Sequence, residues 1–211
     1  MKHLWIAGAG GFGREVLPWA GDAGLTSGEW AFRGFLDDDP AALASYPRLA
    51  SAPIQSLEAF RPVQDGFVVC GIALPKIKKR CVELLQQRGS RFLTVIHPDA
   101  IVGGGVQLGV GCVVCPKAIL TTDIVLGDFV TVNCHATVGH DARIGSWSTL
   151  NGHCDVTGHV QLGDGVFMGS HASVIPSIEV GDWAVIGAGS VAMRHVAPET
   201  TVVGVPAKNL F

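Results

Sequence analysis

The chain has 211 residues and a formal net charge of −3, which excludes the strongly basic footprint of a nucleic-acid-binding protein. No apolar run is long enough to span a bilayer, and the short apolar stretch after Met1-Lys2-His3 runs into glycines rather than a cleavage site, so a cytoplasmic protein with no membrane partner is expected. The six cysteines (Cys70, Cys81, Cys112, Cys115, Cys134 and Cys154) fall mainly where the pattern is buried and are expected as reduced thiols. The single C-x-x-C, Cys112 to Cys115, lacks the second pair that a structural zinc site needs.

In chain order, Leu4 to Ala7 reads as a buried strand. The turn Gly8-Ala9-Gly10-Gly11-Phe12-Gly13 and a helix from Arg14 to Ala23 follow. Strand, glycine turn and helix open a Rossmann-like unit, in which glycines let a phosphate approach the backbone at the helix N-terminus. Trp30 to Leu36 is a second strand ending in Asp37-Asp38-Asp39, with an acid suitably spaced for a ribose or base. Residues 40–53 read as irregular, and Ser56 caps a short helix to Phe60. Phe67 to Cys70, closed by Gly71, is a third strand. Pro75 starts a helix that runs to Arg88 and stops at Gly89, with Ile77, Cys81, Leu84 and Leu85 as its apolar face. Lys76, Lys78, Lys79 and Arg80 in its first turns read as a solvated basic face, with a nearby anion as the alternative. Arg91 to Val95 is a fourth strand. Residues 1–95 are thus expected as a small three-layer α/β domain.

From Ile96 to Ala192 every sixth residue is apolar, and a second column from Ala100 to Val196 is small or apolar throughout. A six-residue period of this kind specifies a parallel β-helix in which three hexads close one triangular coil. Residues 18 apart then stack at a strand spacing of about 4.8 Å. The second domain is expected over residues 96–211, with a C-terminal tail that includes Gly204-Val-Pro-Ala-Lys208.

That register sorts the histidines. His135, His153 and His171 share a column, expected as a structural or subunit contact; Asn133 and Asn151 share another. His140 is followed directly by Asp141 and has Gly158 and Pro176 above it. A histidine beside an acid is the minimum for a general base. A solvated corner histidine is the bland alternative, and the residues alone leave both open.

The segment Asn133-Cys-His-Ala-Thr-Val-Gly-His140-Asp141-Ala-Arg-Ile-Gly145, preceded by a small Rossmann-like domain and followed by the Gly-Val-Pro-Ala-Lys ending, resembles the bacterial nucleotide-sugar N-acetyltransferases and the related sialic-acid O-acetyltransferases. The resemblance implies a left-handed β-helix and a homotrimer. It also implies acetyl transfer from acetyl-CoA to the amine of a nucleotide-linked 4-amino sugar in a ternary complex, with no metal. It would make His140 the base, Asp141 its acidic partner and Asn133 their neighbour. Gly158 would supply a backbone N–H to the thioester oxygen. Thr149, Ser170, Ala188 and Lys208 would contact acetyl-CoA, and Gly10, Gly11, Phe12, Asp37, Asp38 and Gly71 would hold the nucleotide. Thr149 and Phe12 stand where some members carry histidine, which leaves the sugar and nucleotide open.

Three other readings compete. One is O-acetylation of a sialic acid or another sugar hydroxyl. A second is a zinc carbonic-anhydrase-like β-helix built on His135 and His140, for which Asp99 stands where a third histidine is needed. The third is a non-catalytic nucleotide-binding scaffold.

Overall fold

The computed structural model describes residues 1–210 and divides the chain into two compact units. Met1–Ala73 with Ile77–Val95 forms one; Leu74–Lys76 with the chain from Ile96 onward forms the other.

The first unit is built on a parallel sheet of four strands: β1 (Lys2–Ala7), β2 (Trp30–Leu36), β3 (Ile54–Gln55) and β4 (Gly66–Cys70), in the order β3-β2-β1-β4. Leu4, Ile6, Phe35, Leu36 and Val69 are buried, as a sheet covered on both faces requires. Helix α1 (Gly11–Asp22) begins three residues before the sequence-based boundary and carries Pro18 within it. It lies tight on the end of β1, because a β-carbon at Gly13 would stand 1.9 Å from the Gly8 carbonyl oxygen.

Several sequence-based expectations are corrected in this unit. Ile54–Gln55, just after the segment read as irregular, adds an edge strand beside β2. Arg91 to Val95 is not a full strand: its backbone pairs with the sheet at a Val68–Phe92 bridge before Val95–Ile96 opens the hexads. Residues 57–59 form a turn rather than a helix, although Ser56 Oγ still accepts the Ala59 N–H at 3.1 Å. Helix α2 (Pro75–Gln87) buries Lys78, Val82 and Leu85, while Ile77 is 50% exposed. Its basic first turns are therefore not uniformly solvated, and the Lys78 charge reaches the buried Cys70 thiol.

In the second unit each hexad contributes a two-residue strand, and the strands build three parallel sheets around a triangular core. Pairing joins residues 18 apart, as in Val125 with Arg143 and Thr131 with Thr149. From Val114 onward the apolar column fills the interior, with Leu120, Val132, Val138, Leu150, Val156, Met168 and Ile186 at 0% exposure, while Ile96 and Val102 at its start are exposed. Each fully buried aliphatic of this size contributes about 1.5–3 kcal/mol. Cys112 and Cys154 belong to the same core, and all six cysteines are free thiols.

The corners obey a second rule. From residue 105 to residue 189 every sixth residue has φ between 55° and 72°, and most are not glycine. A left-handed residue with a side chain costs on the order of 1 kcal/mol or more. The coil below offsets part of this, because the corner N–H donates to it, as from Trp147 to the Asp128 carbonyl at 2.8 Å. The corners fall on three edges, each with its own chemistry. One carries Asp123, Asp141, His159 and Ser177. The second carries Phe129, Trp147 and Trp183. The third carries Lys117, His135, His153 and His171.

Candidate active site

His140 and Asp141 form the corner between the strands Thr137–Val138 and Arg143–Ile144. The left-handed φ of 59° at Asp141 bends the chain so that its carboxylate turns back on the preceding imidazole. His140 Nδ1 lies 2.8 Å from Asp141 Oδ2. With Nδ1–H donating to the carboxylate, the Nε2 lone pair is left outward as an acceptor. That hydrogen bond holds the Asp141 carboxyl below the usual carboxylate value against some desolvation, with further help from the His159, His140 and Arg143 charges.

The next coil completes the corner. The His140 ring lies over Gly158, where a β-carbon would stand 2.6 Å from Nε2. Among the described residues the Gly158 N–H has no hydrogen-bond partner, while its carbonyl accepts from Ser177 at 3.1 Å. His159 stands one coil above Asp141, its Nε2 3.9 Å from Asp141 Oδ2 and its ring edge-on to His140 at 5.0 Å. The sequence reading passed over His159. The signal was available, because 159 lies 18 residues beyond 141.

The structure brings together only part of the expected set. Asn133 stands at a different edge, beyond the strand Thr137–Val138, and its Oδ1 accepts the Cys134 N–H at 2.7 Å. Ser170 and Ala188 are exposed at that same edge, beside the histidine ladder. In the ladder, the rings of His135, His153 and His171 stack at 4.8 and 4.6 Å with interplanar angles of 1°. Thr149 is a fully buried strand residue. Lys208 is exposed in the final strand, Lys208–Asn209. Asp99, at the position where a zinc site would need a histidine, is ion-paired to Lys117 at 2.9 Å.

In the first unit the glycine turn divides into two kinds of position. Gly8, Gly13 and Gly71 are packing glycines, since a β-carbon at any of them would meet another atom at 3.0 Å or less. Gly10 and Gly11 face open space, and Gly10 caps α1 without a side-chain hydrogen bond. The α1 N–H groups are thus directed outward, as a phosphate site requires. Phe12 packs edge-on against Trp19. Asp37 and Asp38 both hold backbone groups of neighbouring loops. Asp37 Oδ2 accepts the Ala9 N–H at 2.7 Å and its Oδ1 accepts that of Asp39 at 3.0 Å, while Asp38 Oδ1 accepts that of Leu57 at 3.0 Å. The acids fasten loops. The sequence reading also missed a cleft of about 430 Å³ that begins at Gly11 and is lined by Arg14, Trp19, Tyr46 and Arg48. The Arg14 guanidinium lies 3.3 Å over the Tyr46 ring.

Comparison with known proteins agrees with this geometry. Residues 3–85 match the PglD N-terminal domain. Along its full length the chain is similar to the solved structure of WeeI from Acinetobacter baumannii AYE, at 28% identity with 100% of both chains covered and a TM-score of 0.89. It is likewise similar to the acetyltransferase domain of PglB from Neisseria gonorrhoeae FA1090, at 28% identity, 100% of both chains and a TM-score of 0.86. Along its full length this chain resembles the nucleotide-sugar N-acetyltransferases. A further member, PerB from Caulobacter crescentus in complex with CoA and GDP-perosamine, is 26% identical over 100% of this chain and 98% of its own, with a TM-score of 0.84. No curated protein matches the chain significantly. As in these acetyltransferases, the β-helix is left-handed.

Proposed function

We propose that this acetyltransferase moves the acetyl group of acetyl-CoA to the amine of a nucleotide-linked 4-amino sugar, with His140 as general base. The observation that carries the reading is the His140–Asp141 hydrogen bond set over Gly158, which leaves Nε2 free and directed. Nε2 takes a proton from the sugar nitrogen as that nitrogen attacks the thioester carbonyl carbon. Asp141 stabilises the imidazolium that forms. The Gly158 N–H supplies a donor for the oxyanion. The C–S bond then breaks, the sulfur leaves with a proton, and the products are an N-acetylated sugar nucleotide and CoA.

Direct attack is favoured by the state of the cysteines. Burial pushes the Cys154 thiol up to about 11, and its Sγ donates to the Gly169 carbonyl at 3.1 Å. Burial also raises the Cys70 and Cys81 thiols. None of the three offers a thiolate to be acylated at neutral pH.

For the acceptor, we assign the phosphates to the α1 N-terminus at Gly10 and Gly11, with Arg14 and Arg48 adding positive charge. PerB, which carries GDP-perosamine, supports a nucleotide-linked acceptor. The acetyl donor is assigned to the exposed corner residues Ser170 and Ala188, with Lys208. The PglB domain has also been solved in complex with acetyl coenzyme A, at 28% identity. Because His140 and these residues occupy different edges of one prism, a site using both needs two prisms. We therefore read the protein as a homotrimer with sites shared between chains, working among free thiols in the cytoplasm.

The test is a panel of UDP-, dTDP- and GDP-linked 4-amino sugars with acetyl-CoA, following thiol release and the mass and alkali stability of the product. An amide on one nucleotide sugar supports the reading. An alkali-labile ester, or no transfer to any amine, overturns it.

A further inference from the structure

We propose that His140, Asp141 and His159 form a binding site for a zinc-class divalent cation, and that occupancy of this site switches the acetyltransferase off. The ligand set comes from two successive coils of one edge. One nitrogen from each histidine and one carboxylate oxygen of Asp141 all lie within 4.8 Å of one another. His140 Nδ1 to Asp141 Oδ2 is 2.8 Å, and Asp141 Oδ2 to His159 Nε2 is 3.9 Å. Ligand atoms around a tetrahedral zinc ion stand about 3.3 Å apart, so the two separations bracket the required value. Two imidazoles and a carboxylate suit zinc, cobalt or nickel rather than calcium or magnesium. Gly158, at the same corner, has no side chain to crowd the His140 ring, and His140, Asp141 and His159 are all exposed, so water can complete the coordination.

The histidine ladder makes a contrast within the same chain. Its rings are parallel and successive centroids lie 4.8 and 4.6 Å apart. They lie face to face instead of turning nitrogens toward a common point. The 89° angle between the His140 and His159 rings, with a carboxylate beside both, is what sets the catalytic edge apart.

The consequence for activity rests on the reading of His140 as base. A cation on Nε2 occupies the lone pair that removes the proton. A cation on Nδ1 displaces the Asp141 hydrogen bond and leaves the remaining proton on Nε2. Either mode removes the base. Loss of the proton-accepting nitrogen and gain of the metal are the same event.

The experiment titrates zinc chloride into the full-length protein without substrates, in competition with a chromophoric chelator. Cobalt(II) absorption reports the coordination geometry. Wild type should take up one cation per chain with tetrahedral cobalt bands. His159→Asn, which removes one ligand, should weaken binding about tenfold or more. His153→Asn, in the ladder, should leave it unchanged. In the transfer assay the zinc concentration for half-inhibition should rise with His159→Asn by the same factor as the dissociation constant. Unchanged affinity in His159→Asn, lost affinity in His153→Asn, or no uptake by wild type would each overturn the site. The titration uses no sugar or acetyl-CoA, so a failure of the acetyl-transfer reading would leave its result standing.

Discussion

The imidazole of His140 occupies the space that a side chain at residue 158 would need: a β-carbon on Gly158 would lie 2.6 Å from Nε2 and 2.8 Å from Cε1. The obstacle is the end of an exposed side chain, not backbone, so Gly158→Ala should fold with a near-normal Tm. It should still lower kcat by about tenfold or more, because the ring must swing away from its aim and Asp141 must follow. Thermal melts together with steady-state kinetics check this. A lowered Tm with unchanged kcat would contradict the placement of the ring.

His140→Ala should lower kcat by about 10²–10⁴, the usual worth of a general base, while both substrates still bind. Asp141→Asn should cost less, since it weakens and disorients the imidazole without removing it. His153→Ala, in the stacked ladder, should change kcat little. Initial rates at saturating substrate and binding titrations of each variant check the three together.

The pH dependence follows from the direction of the Asp141 shift. Its carboxyl is held below the ordinary value by the His140 hydrogen bond, so it is ionised throughout the neutral range. This favourable pairing is present above the unfolded carboxyl value and is lost only as pH falls through the lower folded one. An ascending limb of kcat/KM near neutrality therefore does not belong to the Asp141 carboxyl. In Asp141→Asn the limb should persist, at reduced height. Its disappearance would assign the ionisation to the carboxylate.

In the first unit, Gly11→Val should raise the acceptor KM strongly and leave acetyl-CoA affinity nearly unchanged, because only Arg14 comes within 4 Å of a β-carbon there. Gly13→Ala should instead destabilise the unit, since its β-carbon would sit 1.9 Å from the Gly8 carbonyl oxygen. Asp37→Ala should also raise the acceptor KM, by freeing the Ala9 N–H and loosening the glycine turn rather than by removing a direct contact. Denaturation curves and substrate KM values for the three variants separate these outcomes.

The hexad period was legible in the residues alone because a β-helix repeats one local decision: an apolar side chain inward and a small one near each corner. No long-range information is needed to read that, and the 18-residue stacking follows from it. The His140–Asp141 pair was legible because its two members are adjacent, whereas the packing role of Gly13 emerged only from the structure. The tertiary structure alone decided where chains of contacts close. That the Asp37 and Asp38 oxygens accept the backbone N–H groups of Ala9, Asp39 and Leu57 was not visible in their spacing. In α2, helical spacing could not tell which face meets the sheet, and Lys78 is buried where Ile77 was expected. His159 reaches Asp141 only because the corner at 141 adopts a left-handed turn and the next coil lands on it. Pattern sets which residues point inward. The period stacks residue 159 over residue 141, but how their side chains are aimed outside the prism depends on corner geometry.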